Sequence, residues 1–209
     1  MGFLGQASAS QLKTPRLSAR TALAAVAVAL AVSVTLNVLL AHRVRTLTYV
    51  RSASMAEYQL KVGTAVPPIA VKRLGGQQEV ISYHEANQST VLYVFTPPCS
   101  WCARNMDNFK TLLGKESGEY RFIALSLSDD ALAEYVAKND LKLPVYSGLS
   151  MDTKAAYKFS ATPQTIVVSP DGRVLQNWMG AYVGDQKSQV EAFFHVTLPG
   201  IRQGSDQYH

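Results

Sequence analysis

The feature that most limits what this chain can fold into is a run of 21 residues without a formal charge, from Thr21 to Ala41. As a helix this run is about 31 Å long, which matches a hydrocarbon core of about 30 Å. The sequence therefore predicts a transmembrane helix that anchors the protein. The alternatives are a soluble buried helix and a cleavable signal peptide, whose apolar region is normally shorter, about 7–15 residues.

Charge is distributed unequally along the chain, whose formal net charge is +5. Residues 1–51 hold six Lys and Arg and no acidic residue, whereas residues 52–209 hold 14 basic against 15 acidic residues. A basic arm, and not a basic domain, thus explains the high pI, and nucleic acid is not an expected partner. Basic residues flank the apolar run on both sides, so the positive-inside rule does not orient it. The simplest topology exports the C-terminal domain.

The sequence is organised into five segments. They are a basic arm (1–20), the transmembrane helix (21–41), a helical or irregular stalk (42–61), one α/β domain (62–198) and a C-terminal tail (199–209).

Within the α/β domain, residues 69–82 predict a hairpin that turns at Gly75-Gly76, and residues 165–179 predict another around Pro170-Asp171-Gly172. Residues 91–96 and 122–127 have the continuous apolar pattern of strands buried on both faces. Helical patterns alternate with these strands. The expected fold class is α/β, with a mixed sheet covered by helices on both faces.

The only two cysteines lie three residues apart in Cys99-Ser100-Trp101-Cys102, between a predicted buried strand and a predicted helix. Backbone N–H groups at a helix start favour an anion, so we expect a depressed pKa for the Cys99 thiol. Cys102, one turn into the helix, is expected to be more protected. This asymmetry predicts that Cys99 attacks a partner disulfide and that Cys102 resolves the mixed disulfide. In reverse, the same pair oxidises dithiols.

Other roles for the two cysteines fit the sequence less well. A zinc site needs about four ligands, and His84 and His195 do not form a second pair with metal-ligand spacing, so no metal is predicted. A purely structural disulfide at this spacing closes a very small loop, which gives little entropic stabilisation. Two inert buried cysteines are the remaining alternative.

A resemblance to a known family adds to this interpretation. The strand VLYVFT, the motif PPCSWC with its helix, and the later segment ATPQTIVVSPDGRV resemble the thioredoxin-like fold over residues 62–198. The resemblance is strongest to the TlpA/ResA-like (AhpC/TSA and Redoxin-related) membrane-anchored thiol–disulfide oxidoreductases. The hairpin near residues 69–82 resembles the N-terminal extension of that subfamily, and residues 129–159 resemble its insertion.

The resemblance also implies substrate-binding residues. In this family the dipeptide that matches Thr162-Pro163 has a cis peptide bond beside the dithiol. Such a bond leaves the backbone of Thr162 free to pair with an extended partner segment, as in strand addition. Trp101 is expected to form part of an apolar contact surface beside Cys99.

Several positions depart from the family pattern. Tyr93 stands where thioredoxins carry a buried Asp, and Pro98 replaces the usual Trp before the dithiol. Asn105 and Asp107 stand where ResA-like members often have Glu and Pro. No proton acceptor for Cys102 is therefore identified, and the helix is expected to lack a proline kink.

The remaining residues near the motif leave the redox direction open. The intervening pair Ser100-Trp101 is neither Gly-Pro nor Pro-His, the pairs associated with strong reductants and strong oxidants. For Asp107 the two interpretations are a solvated surface carboxylate and a group that acts on Cys102 through water. For Arg104 they are a surface side chain without a role and a cation that favours the thiolate of the dithiol. Trp178 and Met179 are expected to pack in the core.

The sequence and the resemblance together predict a thiol–disulfide oxidoreductase anchored in the inner (cytoplasmic) membrane, with its domain on the periplasmic or extracytoplasmic side. Its expected partners are protein thiols and disulfides and an upstream electron donor in the membrane. No cofactor is expected, because the disulfide carries the electrons. The alternatives are a peroxide-reducing redoxin with Cys99 as the peroxidatic thiol, and a non-catalytic binding or assembly module.

Overall fold

The computed structural model of the protein describes residues 19–57, 59–85, 87–114 and 119–202. Most of the predicted basic arm and the end of the predicted tail lie outside these residues. Two compact units are present, residues 1–53 and 54–209. Each is described by itself.

Helix α1, Ala19–Glu57, has 39 residues, of which residues 19–53 belong to the first unit. Its segment Leu23–Thr46 has a mean hydropathy of 2.4, and its apolar side chains are exposed. Thr35 and Asn37 donate side-chain hydrogen bonds to carbonyls four residues earlier, which satisfies their polar groups within the helix. This length and composition fit a membrane anchor. The helix continues beyond the predicted span, through most of the predicted stalk.

The second unit is built on one seven-stranded sheet, with the order β2-β1-β5-β4-β3-β6-β7. Strands β3, β4 and β5 are parallel, while β1–β2, β1–β5, β3–β6 and β6–β7 pair antiparallel. The mixed sheet confirms the predicted fold class. The strands are β1 (Ile69–Arg73), β2 (Gln78–Ile81), β3 (Ser89–Phe95), β4 (Tyr120–Ser126), β5 (Val145–Ser147), β6 (Gln164–Val168) and β7 (Val174–Met179).

Five further helices connect or follow the strands. They are α2 (Ser100–Arg104), α3 (Met106–Leu113), α4 (Leu132–Lys138), α5 (Met151–Ala156) and α6 (Gly184–Phe194). Both predicted hairpins are present as β1–β2 and β6–β7. In the first turn, Gly75 and Gly76 have φ angles of 111° and 105°, a region that glycine adopts without steric cost.

The central strand β3 is buried on both faces, as its sequence pattern predicts. Tyr93 and Phe95 point into one apolar cluster together with Phe109 of α3, whereas Leu92 and Val94 point into a second cluster on the opposite face. Because β3 is buried on both sides, its carboxyl end is fixed at the centre of the sheet. The cysteine motif begins four residues beyond this end.

Candidate active site

Two prolines separate β3 from the cysteine motif. Pro97 and Pro98 lack an N–H donor and therefore cannot extend the strand ladder. The chain turns here, with the Cys99 N–H donating to the Thr96 carbonyl at 3.1 Å. Cys99 then caps α2, with its Sγ accepting a hydrogen bond from the Cys102 N–H at 3.0 Å. The first helical turn thus points a backbone donor at the Cys99 sulfur, as the sequence argument expects.

The two cysteines form a disulfide in the structure, with a Cα–Cα separation of 5.2 Å. Cys99 is partly exposed, whereas Cys102 is 0% exposed. A partner therefore has access to Cys99 only, and Cys102 is reached from Cys99. Cys102 is thus more protected than Cys99, as the sequence predicts.

The loop before β6 lies against the disulfide. The Thr162-Pro163 peptide bond is cis, which confirms the expectation that the resemblance carries. The Thr162 carbonyl oxygen is 3.4 Å from Cys99 Sγ, and the Pro163 carbonyl accepts a hydrogen bond from Gly180 N–H at 2.7 Å. Thr162 lies just outside β6, and within the described part of the chain its N–H has no backbone partner.

Trp101 and Arg104 occupy the exposed side of α2. The Trp101 side chain is 47% exposed, and the Arg104 guanidinium carbon lies 4.4 Å from its ring centroid. Arg104 Nε also donates to the Arg202 carbonyl at 3.2 Å. Arg104 is therefore held in place on the surface by Trp101 and Arg202.

We call the exposed surface around Cys99 the rim, formed by Pro98, Cys99, Trp101, Arg104 and Thr162. The buried region under the disulfide, formed by Tyr93, Cys102, Asn105, Phe109 and Tyr182, is called the underside.

Asn105 separates α2 from α3, so the helix is interrupted although it has no proline. The buried Oδ1 of Asn105 accepts hydrogen bonds from Tyr182 N–H at 3.0 Å and from Asn108 Nδ2 at 2.9 Å. These contacts tie the interruption to the segment after β7. The break between α2 and α3 is thus marked by a buried asparagine, and the helix lacks a proline kink.

Aromatic packing fills the rest of the underside. The rings of Tyr93 and Phe109 stack with a centroid separation of 3.8 Å. The hydroxyls of Tyr182 and Thr165 are 2.5 Å apart. Burial raises the pKa of both Tyr93 and Tyr182, so both hydroxyls stay protonated at neutral pH. Trp178 is 4% exposed, which confirms its predicted core position, and Met179 is partly buried.

Asp107 forms an ion pair with Arg202. Arg202 Nε donates a hydrogen bond to Asp107 Oδ2 at 2.6 Å, and Arg202 Nη2 donates one to Asp107 Oδ1. The hydrogen bond from Arg202 lowers the pKa of Asp107. A carboxylate that is already paired and whose pKa is lowered is a weak base. Asp107 therefore does not supply the missing proton acceptor.

Sequence reasoning missed the role of the segment after α6. Its Gly200 N–H donates to Asn108 Oδ1 at 2.8 Å, and its Arg202 N–H donates to the Arg104 carbonyl at 2.9 Å. These bonds join positions more than 90 residues apart, so no local pattern reveals them. Asn105 and Asn108 are buried, and buried amides require hydrogen-bond partners. Their burial, once known, is the one feature that points to these long-range bonds.

A groove of about 300 Å³ shares Pro98 with the rim. Pro97 and Pro98 form one wall, and Asp130, Glu134 and Tyr135 lie on the α4 side. Among the described residues, no group of three or more His, Cys, Asp or Glu side chains is arranged to hold a metal ion.

A comparison with protein families identifies the domain. The Redoxin family model matches residues 61–192, which is more than half of the chain. No curated protein matches the chain in sequence.

Solved structures show the same fold. The thioredoxin domain of a thiol-disulfide oxidoreductase from Bacteroides vulgatus is similar, with a TM-score of 0.53 and 19% identity over 65% of this chain and 99% of that one. A thiol:disulfide interchange protein from Bacteroides sp. gives a TM-score of 0.51 and 17% identity. That match covers 72% of this chain and 95% of the other. A thiol-disulfide oxidoreductase from Bacteroides fragilis gives a TM-score of 0.52 and 17% identity. The match covers 62% of this chain and 99% of that one. The fold is therefore thioredoxin-like.

Proposed function

Because the chain belongs to the Redoxin family, we propose that Cys99 and Cys102 catalyse thiol–disulfide exchange on protein substrates. The observation that carries the proposal is the asymmetry of the pair. Cys99 is partly exposed and accepts the Cys102 N–H at 3.0 Å, while Cys102 is 0% exposed. In this proposal the Cys99 sulfur reacts with the partner, and the Cys102 sulfur reacts only in the second step.

In the reducing direction, the Cys99 thiolate attacks one sulfur of a partner disulfide. A bond forms between the two sulfurs, and the other partner sulfur leaves as a thiolate. The Cys102 N–H supports the negative charge on Cys99, because it already points at that sulfur in the disulfide form. A hydrogen bond from a helical N–H is stronger when its acceptor is ionised.

In the second step, Cys102 attacks Cys99 and releases the partner. The two sulfurs belong to one helical turn, so this attack competes well with any thiol from solution. In the oxidising direction, the same steps run in reverse order. The structure contains the oxidised pair, which is the product of one direction and the reagent of the other.

The rim supplies the contacts for a partner segment. Among the described residues the Thr162 N–H has no backbone partner, and the Thr162 carbonyl lies 3.4 Å from Cys99 Sγ. A partner cysteine whose backbone pairs with Thr162 therefore arrives next to the nucleophile, with buried Pro163 fixing this loop. The half-exposed Trp101 ring supplies apolar contact area beside it.

We place the domain outside the cytoplasm, with α1 as its anchor in the inner membrane. The exposed apolar helix supports the anchor, and a single early span that leaves the N-terminus in the cytoplasm supports this side. A membrane protein that supplies electrons is then the partner that restores the reduced pair. No cofactor is required, because the disulfide itself carries two electrons.

A trapping experiment tests both the chemistry and the location. Cys102→Ser removes the resolving thiol, so mixed disulfides with Cys99 should accumulate in cells and run as adducts on non-reducing gels. Mass spectrometry of these adducts identifies the substrates, and their compartment identifies the side of the membrane. Labelling of Cys99 in intact cells by a membrane-impermeant maleimide gives an independent measure of the side.

The matched control is the Cys99→Ser, Cys102→Ser double variant, which should form no adducts at equal protein levels. If stable Cys102→Ser protein yields no adducts that require Cys99, the exchange mechanism is wrong. Stoichiometric loss of hydrogen peroxide on mixing with the reduced protein would instead indicate a peroxidase. Full partner binding by Cys99→Ser, without turnover by the wild type, would indicate a binding module.

A further inference from the structure

The rim contains one cation, Arg104, which has no acidic partner among the residues that the structure describes. Its Nε donates to the Arg202 carbonyl at 3.2 Å, and its guanidinium carbon lies 4.4 Å from the centre of the Trp101 ring. Within the same described residues, Arg104 forms no ion pair and its terminal nitrogens have no acceptor. A guanidinium carries N–H donors on all three nitrogens, so those on the two terminal nitrogens are available to a partner molecule.

The acidic residue that follows Arg104 most closely in the chain is already paired. Asp107 accepts hydrogen bonds from the Arg202 side chain on both of its oxygens. The Arg202 backbone in turn accepts from Arg104 Nε and donates its N–H to the Arg104 carbonyl at 2.9 Å. The segment after α6 therefore holds Arg104 in place and also neutralises the carboxylate that could otherwise compensate its charge.

The Arg104 side chain is ordered before any partner binds. A long side chain that becomes fixed only on binding loses conformational freedom, which weakens the complex. Here the ring of Trp101 and the carbonyl of Arg202 already fix the guanidinium, so less freedom remains to be lost. A planar guanidinium binds a carboxylate through two parallel hydrogen bonds, which a neutral amide does not match in strength.

The spacing of Arg104 from Cys99 fits an extended partner segment. Arg104 follows Cys99 by five residues, which is about 7.5 Å along a helix axis. In an extended segment, side chains two residues apart lie on the same face, about 7 Å from each other. The two spacings match, so the side chain two positions from the partner cysteine is the one that can reach Arg104.

We propose that Arg104 is a specificity-determining residue, which selects protein substrates that carry Asp or Glu two residues from the reacting cysteine. This inference rests on the proposed function and defines the class of substrate on which it acts. Arg104 binds the carboxylate through its terminal nitrogens and so holds the partner cysteine beside Cys99. The carboxylate takes no part in the exchange of sulfur bonds.

The test times the first step of exchange with model peptides. Their one cysteine carries a 2-thiopyridyl group, and they differ only in having Glu, Gln or Lys two residues to each side of it. In full-length Cys102→Ser protein in detergent, the Cys99 thiolate forms a bond to the peptide sulfur. The thiopyridyl group leaves, takes up a proton from water and is followed by the absorbance of pyridine-2-thione. Each rate is divided by the rate with 2,2′-dipyridyl disulfide, which reports the reactivity of Cys99 alone.

With Arg104 present, the Glu peptide should react about fivefold faster than the Gln peptide, and the Lys peptide should be the slowest. Arg104→Gln should abolish the difference between the Glu and Gln peptides. Arg104→Glu should reverse the order, because it inverts the charge that meets the peptide. The matched control is Lys72→Glu, which makes the same change in net charge at an exposed position of β1, separated from β3 by β5 and β4. This control should keep the preference for the Glu peptide.

The proposal is overturned if the three peptides give equal divided rates, or if Lys72→Glu changes their order as Arg104→Glu does. It is also overturned if Arg104→Gln slows dipyridyl disulfide and all peptides in the same proportion, since Arg104 would then act on Cys99 and not on the partner. If Arg104→Glu does not fold, Arg104→Gln decides. A folded protein whose Cys99 does not react even with dipyridyl disulfide would refute the proposed function, whereas equal peptide rates refute only this choice of substrate.

Discussion

The rim around Cys99 is exposed and carries charge, whereas the underside beneath Cys102 is closed to solvent and neutral. On the rim, Arg104 stacks on the half-exposed ring of Trp101. In the underside, Tyr93 stacks on Phe109, and the polar atoms belong to amides and hydroxyls. The two sulfurs of one disulfide therefore lie in different environments. The rim is suited to binding a partner, whereas the packing of the underside contributes to stability.

The largest expected difference between the two regions comes from deleting an aromatic ring in each. Phe109→Ala removes a fully buried ring that stacks on Tyr93 and should lower the free energy of unfolding by about 3–5 kcal/mol. Trp101→Ala removes a half-exposed ring and should change it by no more than about 0.5 kcal/mol. Urea unfolding of both variants measures this contrast, and equal losses would contradict it.

A smaller effect is expected from the amide that joins the underside to the segment after α6. Asn108→Ala leaves Gly200 N–H without its partner and removes the donor to Asn105 Oδ1. The free energy of unfolding should fall by about 1–3 kcal/mol. Asn139→Ala is a useful control, since that partly buried amide donates to the Tyr135 carbonyl within its own helix end. A loss no greater than that of the control would show that the link contributes little.

Trp101→Ala should have its main effect on partner binding. Loss of the apolar surface beside Cys99 is expected to lower kcat/KM for a protein substrate about tenfold, equivalent to about 1.4 kcal/mol. The rate with a small disulfide should be nearly unchanged, because such a molecule does not reach the ring. Steady-state kinetics with both substrates gives the ratio. A parallel fall in both rates would assign Trp101 to the chemistry instead.

The smallest effect is the pH dependence of the ion pair between Asp107 and Arg202. Arg202 lowers the Asp107 pKa in the folded protein, so the pair stabilises the fold above the pKa of the unfolded state, about 4. This contribution is lost as the pH falls through the lower folded pKa. Both groups are about half exposed, so it amounts to less than about 1 kcal/mol.

The measurement compares wild type with Asp107→Asn by urea unfolding at pH 7 and pH 3. Their difference in free energy of unfolding should shrink at the lower pH. A constant difference across this range would show that the carboxylate charge does not contribute.

Most of the fold was predictable because its signals are local. The apolar run, the β-branched segments and the turn residues each define an element from consecutive residues, and helix α1, strand β3 and both hairpins lie where these patterns place them. The two cysteines were recognisable from spacing and position alone. The cis bond at Thr162-Pro163 came only through the family resemblance, since most X–Pro bonds in folded proteins are trans.

The underside was not predictable, since its contacts join distant parts of the chain. Tyr93, Asn105 and Tyr182 span about 90 residues in sequence, and nothing local to each of them shows that they meet. The ion pair of Asp107 with Arg202 is hidden in the same way, which is why the sequence suggested a solvated carboxylate.

The amino-acid sequence by itself determined the order of helices and strands and the pair of sulfurs, because propensity, periodicity and spacing act between neighbours in the chain. What lies under the buried sulfur and which carboxylate is already paired follow from the tertiary structure alone. These properties depend on burial and on contacts between remote residues, and burial exists only once the sheet and its helices have packed.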